Sequence, residues 1–177
     1  MRQESRDAEF SEYVAAHRAR LVRTARLLTA GDHAAAEDAV QTTLSHLYVH
    51  WPRVRRADDP VAYGFRALTN AFLDEQRRAH RRREVLVDRS PDDEQAPAVV
   101  QREVDVETRS VVLAALRELA PRQRAVVVLR HFLQYDVGAT ARALGCSEGT
   151  VKSQNAKALG RLRELLGERT TLEGHRS

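Results

Sequence analysis

Apolar residues recur at helical spacing along most of this chain. The first such run ends at Gly31-Asp32 and consists of Phe10, Val14, Leu21, Ala25 and Leu28. Because an α-helix turns once in about 3.6 residues, this spacing places the apolar side chains on one face. The pattern therefore predicts a first amphipathic helix, which ends where glycine and aspartate interrupt it.

A second helix is predicted from about Ala34 to Trp51, where Pro52 ends it because proline cannot continue a helix. Its inward face carries Ala36, Val40, Leu44, Leu47 and Trp51. Its largely outward face carries Glu37, Asp38, Gln41 and Thr42. The pattern predicts a helix with an apolar side for packing and a polar side that faces outward.

The third predicted helix follows a basic loop, PRVRRADD, with Asp59 as its N-cap and Pro60 at its first position. Its apolar side carries Val61, Phe65, Leu68 and Phe72. A stripe on the opposite side contains Tyr63, Arg66, Asn70, Asp74, Arg77 and Arg81. Arginine neutralises phosphate, and tyrosine and asparagine can contact an unpaired base, so the stripe suits a nucleic-acid strand. The pattern alone equally allows a merely solvated face.

The C-terminal part of the chain reads as four further helices. A short one, with Val112, Leu116 and Leu119, ends at Pro121. The next runs from Arg122 to Phe132, and its predicted buried residues are Ala125, Val128, Leu129 and Phe132. Residues 137–144 and a helix beginning at Glu148 follow, separated by a Gly145 stop and a Ser147 N-cap. These last two helices predict a helix-turn-helix.

The second helix of this pair has the properties of a DNA-reading helix. Val151, Ala158, Leu162 and Leu165 recur on its inner side, whereas the outer side is small, polar and basic. The residues predicted to contact phosphates are Lys152, Lys157 and Arg161, and those predicted to approach base edges are Glu148, Thr150 and Ser153. The alternative is an ordinary helical hairpin with a solvated face.

Charge divides the 177 residues into three parts. Residues 53–83 hold nine arginines against four acids, residues 84–107 hold eight acids against two arginines, and residues 116–166 are again basic. Together with 5% aromatics and few Gly and Pro, this predicts an all-α fold of two small domains, 1–83 and 110–177. A flexible acidic linker, 84–109, would join them. The net charge of +4 favours a polyanionic partner.

Other constellations argue against catalysis and against secretion. Cys146 is the single cysteine, so no internal disulfide or multi-thiolate zinc site is expected, and it is predicted to be a buried filler, with redox sensing as the minor alternative. His46 and His50 have metal-ligand spacing but lack a third ligand, so neither metal nor cofactor is predicted. No segment reaches the ~20 apolar residues of a membrane span, and no signal peptide is evident. We expect a cytoplasmic protein.

Four blocks together resemble a bacterial RNA polymerase sigma factor of the extracytoplasmic-function (ECF) group. They are AAEDAVQTTL (35–44), DPVAYGFRALTNAFLDEQRR (59–78), LAPRQRAVVVLRHF (119–132) and LGCSEGTVKSQNAKALGRLR (144–163). The block spacing and the GCSEGTVKSQ signature are most similar to the SigE-like group of actinobacteria. With the intervening helices, the resemblance covers nearly all of the chain except the tails and the linker.

The resemblance implies roles for particular residues. Asp38, Gln41 and Thr42 would dock on the β′ coiled coil of core polymerase, with Thr42 where the family usually has Glu; the β flap would be a second contact. The implied minus-ten strand-binding residues are Trp51, Arg53, Arg55, Arg56, Tyr63, Arg66, Asn70 and Arg77. The helix from Glu148 would read the minus-thirty-five element, and in it Gln154 and Asn155 replace a frequent Arg and a frequent apolar residue.

The expected function is therefore that of a promoter-specificity subunit without catalytic chemistry. Its partners would be core RNA polymerase and promoter DNA, with an anti-sigma factor as a further candidate. One alternative is a helix-turn-helix repressor or activator that binds an operator without core polymerase, which leaves the Tyr63–Arg81 stripe unused. A less supported alternative is an enzyme using His46, His50 and Glu37 at a metal.

Overall fold

The computed structural model describes residues 2–87 and 106–173, and describes side chains from 4 to 82 and from 110 to 167. Every regular element within these residues is helical, which confirms the all-α class. Residues 88–105, most of the predicted acidic linker, lie outside the described residues. None of the described helices is both long and apolar enough to cross a membrane.

Four helices make up the first half of the structure, residues 2–87. They are α1 (Arg2–Leu28), α2 (His33–Val49), α3 (Trp51–Val54) and α4 (Pro60–Val87). The Asp59 carboxylate accepts a hydrogen bond from the Ala62 amide at 2.8 Å, which confirms the predicted N-cap of α4. Asp32 caps α2 in the same way, by accepting from the Ala35 amide at 2.9 Å.

The prediction that Pro52 ends the second helix was wrong in detail. Helix α2 ends at Val49, and the chain then forms the single turn α3, in which Pro52 occupies an early position. Proline is tolerated there because the first residues of a helix have no intrahelical partner for their N–H groups. The segment predicted as a loop from Pro52 to Asp59 therefore begins within a helical turn.

The second half, residues 106–173, contains α5 (Val106–Arg117), α6 (Pro121–Val127), a π-helical turn (Val128–Phe132), α7 (Val137–Leu144) and α8 (Glu148–Glu173). The predicted helix-turn-helix is confirmed as α7 and α8. Gly145 adopts the left-handed φ of 61° at the end of α7, where a side chain would be strained. The Ser147 hydroxyl accepts a hydrogen bond from the Thr150 amide at 3.1 Å, as predicted for an N-cap.

Phe132, which was predicted to be buried, is exposed in the structure, and so is Val112 of the first helix of this half. Phe132 is 43% exposed and Val112 is 42% exposed. Phe132 belongs to the π-helical turn, whose hydrogen bonds span five residues instead of four, as in the 3.0 Å bond from the Leu133 amide to the Val128 carbonyl. The wider turn rotates Phe132 away from the side that an α-helical count from Ala125 would give it.

The two halves share one hydrophobic core. Leu28 of α1 and Phe65 and Phe72 of α4 belong to the same buried cluster as Val128 and Leu129 of the second half. Helix α4 contacts α6 and α7, and α1 contacts α6 and the π-helical turn. The described parts of the two predicted domains are thus packed face to face through apolar side chains.

A buried arginine crosses the boundary between the halves. The Arg124 guanidinium, in a residue 8% exposed, donates to the Leu28 carbonyl at 2.9 Å and to the Arg117 and Leu119 carbonyls at 3.2 Å. Leu28 ends α1 and Arg117 ends α5, so one cation caps the negative ends of two helices, one from each half. Burial, with a smaller effect of the Arg117 charge, lowers the pKa of Arg124.

Candidate polymerase and nucleic-acid interfaces

The predicted docking residues lie together on the outer face of α2. Asp38, Gln41 and Thr42 are all exposed, while Val40 and Thr43 beside them are buried. The Thr43 hydroxyl donates to the Ala39 carbonyl at 2.7 Å, so this threonine is satisfied within the helix. The face is therefore a free polar surface held on a helix whose other side is fixed in the core.

The start of α4 is fixed by an unusually close contact with α1. The Tyr13 hydroxyl donates to the Pro60 carbonyl at 3.2 Å and lies where a Cβ at position 64 would be. Gly64 is buried and lacks a Cβ, so it lets the phenol approach the backbone of α4. Burial, and secondarily the Asp59 charge, raises the pKa of Tyr13 to about 12. The phenol thus stays neutral and positions the first turn of α4.

The stripe along α4 is largely exposed, as the pattern predicted. Arg66, Asn70, Arg77 and Arg81 are exposed, and Arg66 forms no ion pair or hydrogen bond within the described chain. Arg77 is paired with Asp74. Tyr63 is half-buried because it packs against the cluster of Tyr13 and Trp51, so only part of its ring is available to a base.

The segment between α2 and α4 presents two unpaired cations and one paired cation. Arg53 and Arg56 are exposed and have no charged partner among the described residues. Arg55 Nη1 lies 2.9 Å from a Glu9 carboxylate oxygen and 3.1 Å from the other. The N-terminal part of α1 therefore holds Arg55, a contact that the sequence pattern did not indicate.

Trp51 requires a correction. The sequence analysis placed it on the inner face of α2 and, through the resemblance, among the strand-binding residues. The structure confirms its inward position, since Trp51 is 4% exposed and its ring lies 5.1 Å from that of Tyr13 and 5.3 Å from that of Phe10. A ring enclosed on these sides has no open face for a base, so strand binding is not assigned to Trp51.

Helix α8 buries one side and exposes the side predicted to read DNA. Val151 and Ala158 are fully buried, whereas Lys152, Ser153 and Lys157 are exposed. Arg161 is exposed and lies 3.3 Å from Glu164, an interaction that water and salt weaken. The predicted base-reading residues Glu148, Thr150 and Ser153 lie in the first turns of α8, and the Thr150 hydroxyl shares a 2.9 Å hydrogen bond with Ser147.

The two residues that depart from the family pattern on α8 are both on its inner side. Asn155 Oδ1 lies 2.9 Å from Nε2 of His131 in the π-helical turn. A polar contact therefore joins α8 to the π-helical turn at a position where the family often has an apolar residue. Gln154 is half-buried and lines the space between α8 and α4.

A cleft of about 1030 Å³ separates the α4 stripe from the second half. Asn70, Asp74, Arg77 and Arg81 line one side, and Arg122 and Gln154 line the other. A smaller groove of about 240 Å³ lies at the far side of the second half. Three exposed apolar residues, Val112, Phe132 and Leu166, line this groove and make it an apolar patch on the second half.

The histidines and the cysteine have ordinary surroundings. The rings of His46 and His50 lie 4.5 Å apart on the exposed side of α2. No cluster of three or more His, Cys, Asp or Glu side chains suited to a metal occurs within residues 4–82 and 110–167. Cys146 is half-buried against Val126, Ala141 and Val151, so it is less buried than predicted.

Sequence reasoning missed Arg124, the residue that joins the two halves. One feature of the sequence could have indicated it. Arg124 is four residues before Val128, and residues four apart lie on the same face of a helix, so Arg124 falls on the apolar face. A charged residue on such a side is rarely buried unless it is paired. The carbonyl groups that pair with it belong to helix ends, and the sequence pattern does not show that they meet.

Comparison with protein families gives two matches, one in each half of the chain. Residues 13–82 match the model described as Sigma-70 region 2, and residues 109–162 match the model described as Sigma-70, region 4. The first match covers most of α1 to α4, and the second covers the helices from α5 to the middle of α8. The two families thus correspond to the two halves of the structure.

Curated relatives show the same similarity along most of the chain. The "RNA polymerase sigma-E factor" of Streptomyces coelicolor is 39% identical over 89% of this chain and 86% of the relative. The "ECF RNA polymerase sigma factor SigM" of Mycobacterium tuberculosis is 35% identical over 89% of this chain and 77% of the relative.

Solved structures show the fold as well. The sigma factor RpoE of Bartonella quintana, crystallised with the anti-sigma factor NepR, has a TM-score of 0.70 and 28% identity, covering 90% of this chain and 97% of that one. CnrH, in complex with the cytosolic domain of CnrY, has a TM-score of 0.60 and 22% identity, covering 92% and 90% of the two chains. At that lower identity, the second match supports the fold alone.

Proposed function

Because this chain belongs to the ECF sigma factors of the Sigma-70 family, we propose which of its surfaces carry out promoter recognition. The chain is a promoter-specificity subunit whose partners are core RNA polymerase and promoter DNA. In the proposal, the outer face of α2 docks on the β′ coiled coil through Asp38, Gln41 and Thr42. The support is that these three polar side chains are exposed together on a helix fixed from behind.

The minus-ten strand is assigned to the exposed side of α3 and α4. Arg53 and Arg56 supply cations near the start of α4, and Arg66, Asn70 and Arg77 continue along it. Arg55 leaves Glu9 and contacts a phosphate of the strand instead. Tyr63 contacts a base through the exposed part of its ring. Arginine contacts to phosphate position a strand, and the amide and the phenol can contact an unpaired base.

The minus-thirty-five duplex is assigned to α8. Lys152, Lys157 and Arg161 contact phosphates, while Glu148, Thr150 and Ser153, near the N-terminus of the helix, approach base edges in the major groove. The apolar groove of Val112, Phe132 and Leu166 is assigned to the β flap, because an exposed apolar groove on a basic domain is typical of a protein contact.

The chain acts by binding alone in this proposal, in the cytoplasm, where polymerase and chromosome are found. An anti-sigma factor is proposed as its regulator, on the ground that the similar RpoE structure was solved with one. The observation that carries the proposal is the coexistence, in one chain, of an exposed arginine-asparagine stripe on α4 and an exposed basic helix in a helix-turn-helix.

The test is reconstitution with core polymerase. Purified chain and core enzyme should co-elute and initiate at defined start sites selected from a random promoter library. Core enzyme alone is the control. Binding of an operator-like duplex without any co-elution or initiation would instead support the repressor alternative, which has no use for the α4 stripe.

A further inference from the structure

The cleft between α4 and the second half has a strong excess of positive charge. Three arginines of α4 and one of α6 line it, namely Arg77, Arg78, Arg81 and Arg122. Among the described residues, Asp74 is the one acid in its lining, and it pairs with Arg77. Four arginines against one aspartate leave a formal excess of three positive charges, with His80 counted as neutral. An anion is therefore the ligand that this cleft attracts.

Two of these cations have no acidic partner. Arg81 and Arg122 are exposed, and neither forms an ion pair with another residue of 4–82 or 110–167. Arg78 lies 3.8 Å from Glu75, and an exposed pair at that distance is weak. The guanidinium groups are thus available to a ligand. Their paired N–H groups match the oxygen atoms of a phosphate, so the favoured anion carries phosphate.

A different part of the same cleft is apolar and carries amide groups. Leu73 of α4 and Leu144 of α7 are half-buried and line it, and Asn70 and Gln154 add amide donors and acceptors. Aliphatic side chains can cover the flat face of a base, and amides can form hydrogen bonds with its edge. Arg81 is eight residues beyond Leu73, or about 12 Å along α4 at about 1.5 Å per residue. The apolar part and the cationic part are therefore separated along the cleft.

We propose that this cleft binds a nucleoside polyphosphate, with the base against Leu73 and Leu144 and the phosphates on the arginines. Its volume of about 1030 Å³ is at the upper end of the range for small-molecule sites. The site goes beyond the proposed function because its ligand is a free nucleotide. It shares Asn70 and Arg77 with the proposed strand-binding residues, whereas Arg81 and Arg122 belong to the nucleotide site alone.

Calorimetric titration of the full chain, at constant ionic strength, tests the ligand class. ATP and GTP are compared with inorganic triphosphate, which lacks the base, and with adenosine, which lacks the phosphates. We expect saturable binding of one nucleotide per chain, roughly tenfold weaker binding of triphosphate because the base contacts are missing, and no measurable binding of adenosine. Absence of saturable binding of both nucleotides at millimolar concentration would overturn the site. Equal affinity for triphosphate and the nucleotides would overturn the assignment of the base.

Two variants test the position of the phosphates. Arg81→Gln and Arg122→Gln each remove one cation from opposite sides of the cleft, and each should weaken nucleotide binding roughly tenfold, because a hydrogen bond between charged groups is lost. Both residues are exposed, so both variants should fold, which circular dichroism would check. Arg23→Gln is the matched control, because Arg23 is an exposed arginine on α1 that does not line the cleft.

The three variants together distinguish a site from general attraction between opposite charges. Nucleotide affinity that is unchanged in Arg81→Gln and Arg122→Gln would overturn the site, and so would an equal loss in Arg23→Gln. These titrations need neither polymerase nor DNA. A chain that binds nucleotide but does not initiate transcription with core enzyme would overturn the proposed function alone, and a chain that initiates without binding nucleotide in the titration would overturn this inference alone.

Discussion

The Tyr13 hydroxyl occupies the space that a Cβ at Gly64 would need, so α1 and α4 approach each other more closely than any other residue at position 64 would allow. The phenol also donates to the Pro60 carbonyl at 3.2 Å. This pair sets the start of α4, and with it the position of the proposed strand-binding residues Arg66 and Asn70.

Gly64→Ala should therefore lower the free energy of unfolding by about 1–3 kcal/mol, because the added methyl group forces the phenol or the helix to move. Chemical denaturation would measure the loss. Tyr13→Phe removes the oxygen that clashes with the new methyl group. The double variant Tyr13→Phe, Gly64→Ala should therefore be more stable than the sum of the two single losses predicts. Gly160→Ala, at a helical glycine with open space around it, is the control and should be neutral or stabilising.

Stability should fall at high pH in a way that Tyr13 controls. Burial raises the pKa of the Tyr13 phenol to about 12, above its ordinary value of 10.0. Because the pKa is higher in the folded than in the unfolded protein, the protonated phenol contributes fully to the free energy of unfolding below pH 10. That contribution is lost as the pH rises through 12. The loss attributable to Tyr13 is at most about 2–3 kcal/mol. Burial also raises the pKa of Tyr135, which adds to the fall in the same direction.

Denaturation at a series of pH values from neutral upward would measure this slope, together with the near-ultraviolet absorbance of ionised tyrosine. Tyr13→Phe should flatten the slope and remove one late-titrating phenol from the absorbance curve. An identical slope in the Tyr13→Phe protein would show that the phenol is not protected as the structure indicates.

Gln134 is held in a backbone conformation that suits glycine. Its φ is 59°, in the turn between the π-helical turn and α7, and its side chain is exposed. Gln134→Gly should raise the free energy of unfolding by about 0.5–1 kcal/mol, because relief of the left-handed strain exceeds the entropy that glycine adds to the unfolded chain. Gln134→Ala keeps a Cβ and should give no such gain. Thermal unfolding of the three proteins separates these outcomes.

Local signals in the sequence predicted the start of α4, the end of α7 and the start of α8. Asp59 with Pro60, and Gly145 with Ser147, act on residues within one turn of themselves, so their hydrogen bonds follow from the sequence alone. The helix-turn-helix was predicted for the same reason.

What the sequence could not show depends on contacts between distant residues or on a change of helical period. Phe132 was misplaced because the π-helical turn breaks the count of 3.6 residues per turn. The burial of Arg124 depends on the Leu28 carbonyl, which is 96 residues away. The acidic segment was predicted to separate two domains, yet their described parts share a core. The spacing of apolar residues shows that a helix face is buried, but it does not show which helix packs against that face.

Docking on core polymerase should depend on Asp38. Asp38→Arg reverses a charge on the outer face of α2, and should reduce affinity for core enzyme by a factor that corresponds to several kcal/mol if the charge is at the interface. Thr42→Glu should tighten binding slightly. Fluorescence anisotropy of labelled chain against core enzyme would measure both.

Glu12→Arg is the matched control for this prediction, because Glu12 is an exposed acid on α1 without an ion pair in the described chain. It makes the same charge change away from α2. Equal losses for Asp38→Arg and Glu12→Arg would mean that net charge alone is responsible, and unchanged affinity for Asp38→Arg would remove α2 from the interface.

Duplex opening should require the α4 stripe. Arg66 and Asn70 are exposed, so an Arg66→Ala, Asn70→Ala protein should fold, bind core polymerase and form a closed promoter complex. It should fail to hold the unpaired strand, because the phosphate and base contacts proposed for these two side chains are gone. Permanganate reactivity of unpaired thymines near the start site would report the opening step directly.

A promoter that is already mismatched across the minus-ten element separates strand capture from every earlier step. Unpairing costs a few kcal/mol for an extruded base, and the mismatch removes that cost, so the double variant should regain part of its activity on this template. Arg23→Ala, at an exposed arginine on α1 outside the stripe, should open both templates normally. If the double variant opens the fully paired promoter as the unmodified chain does, the stripe is only a solvated face, and strand binding must be sought elsewhere on the first half.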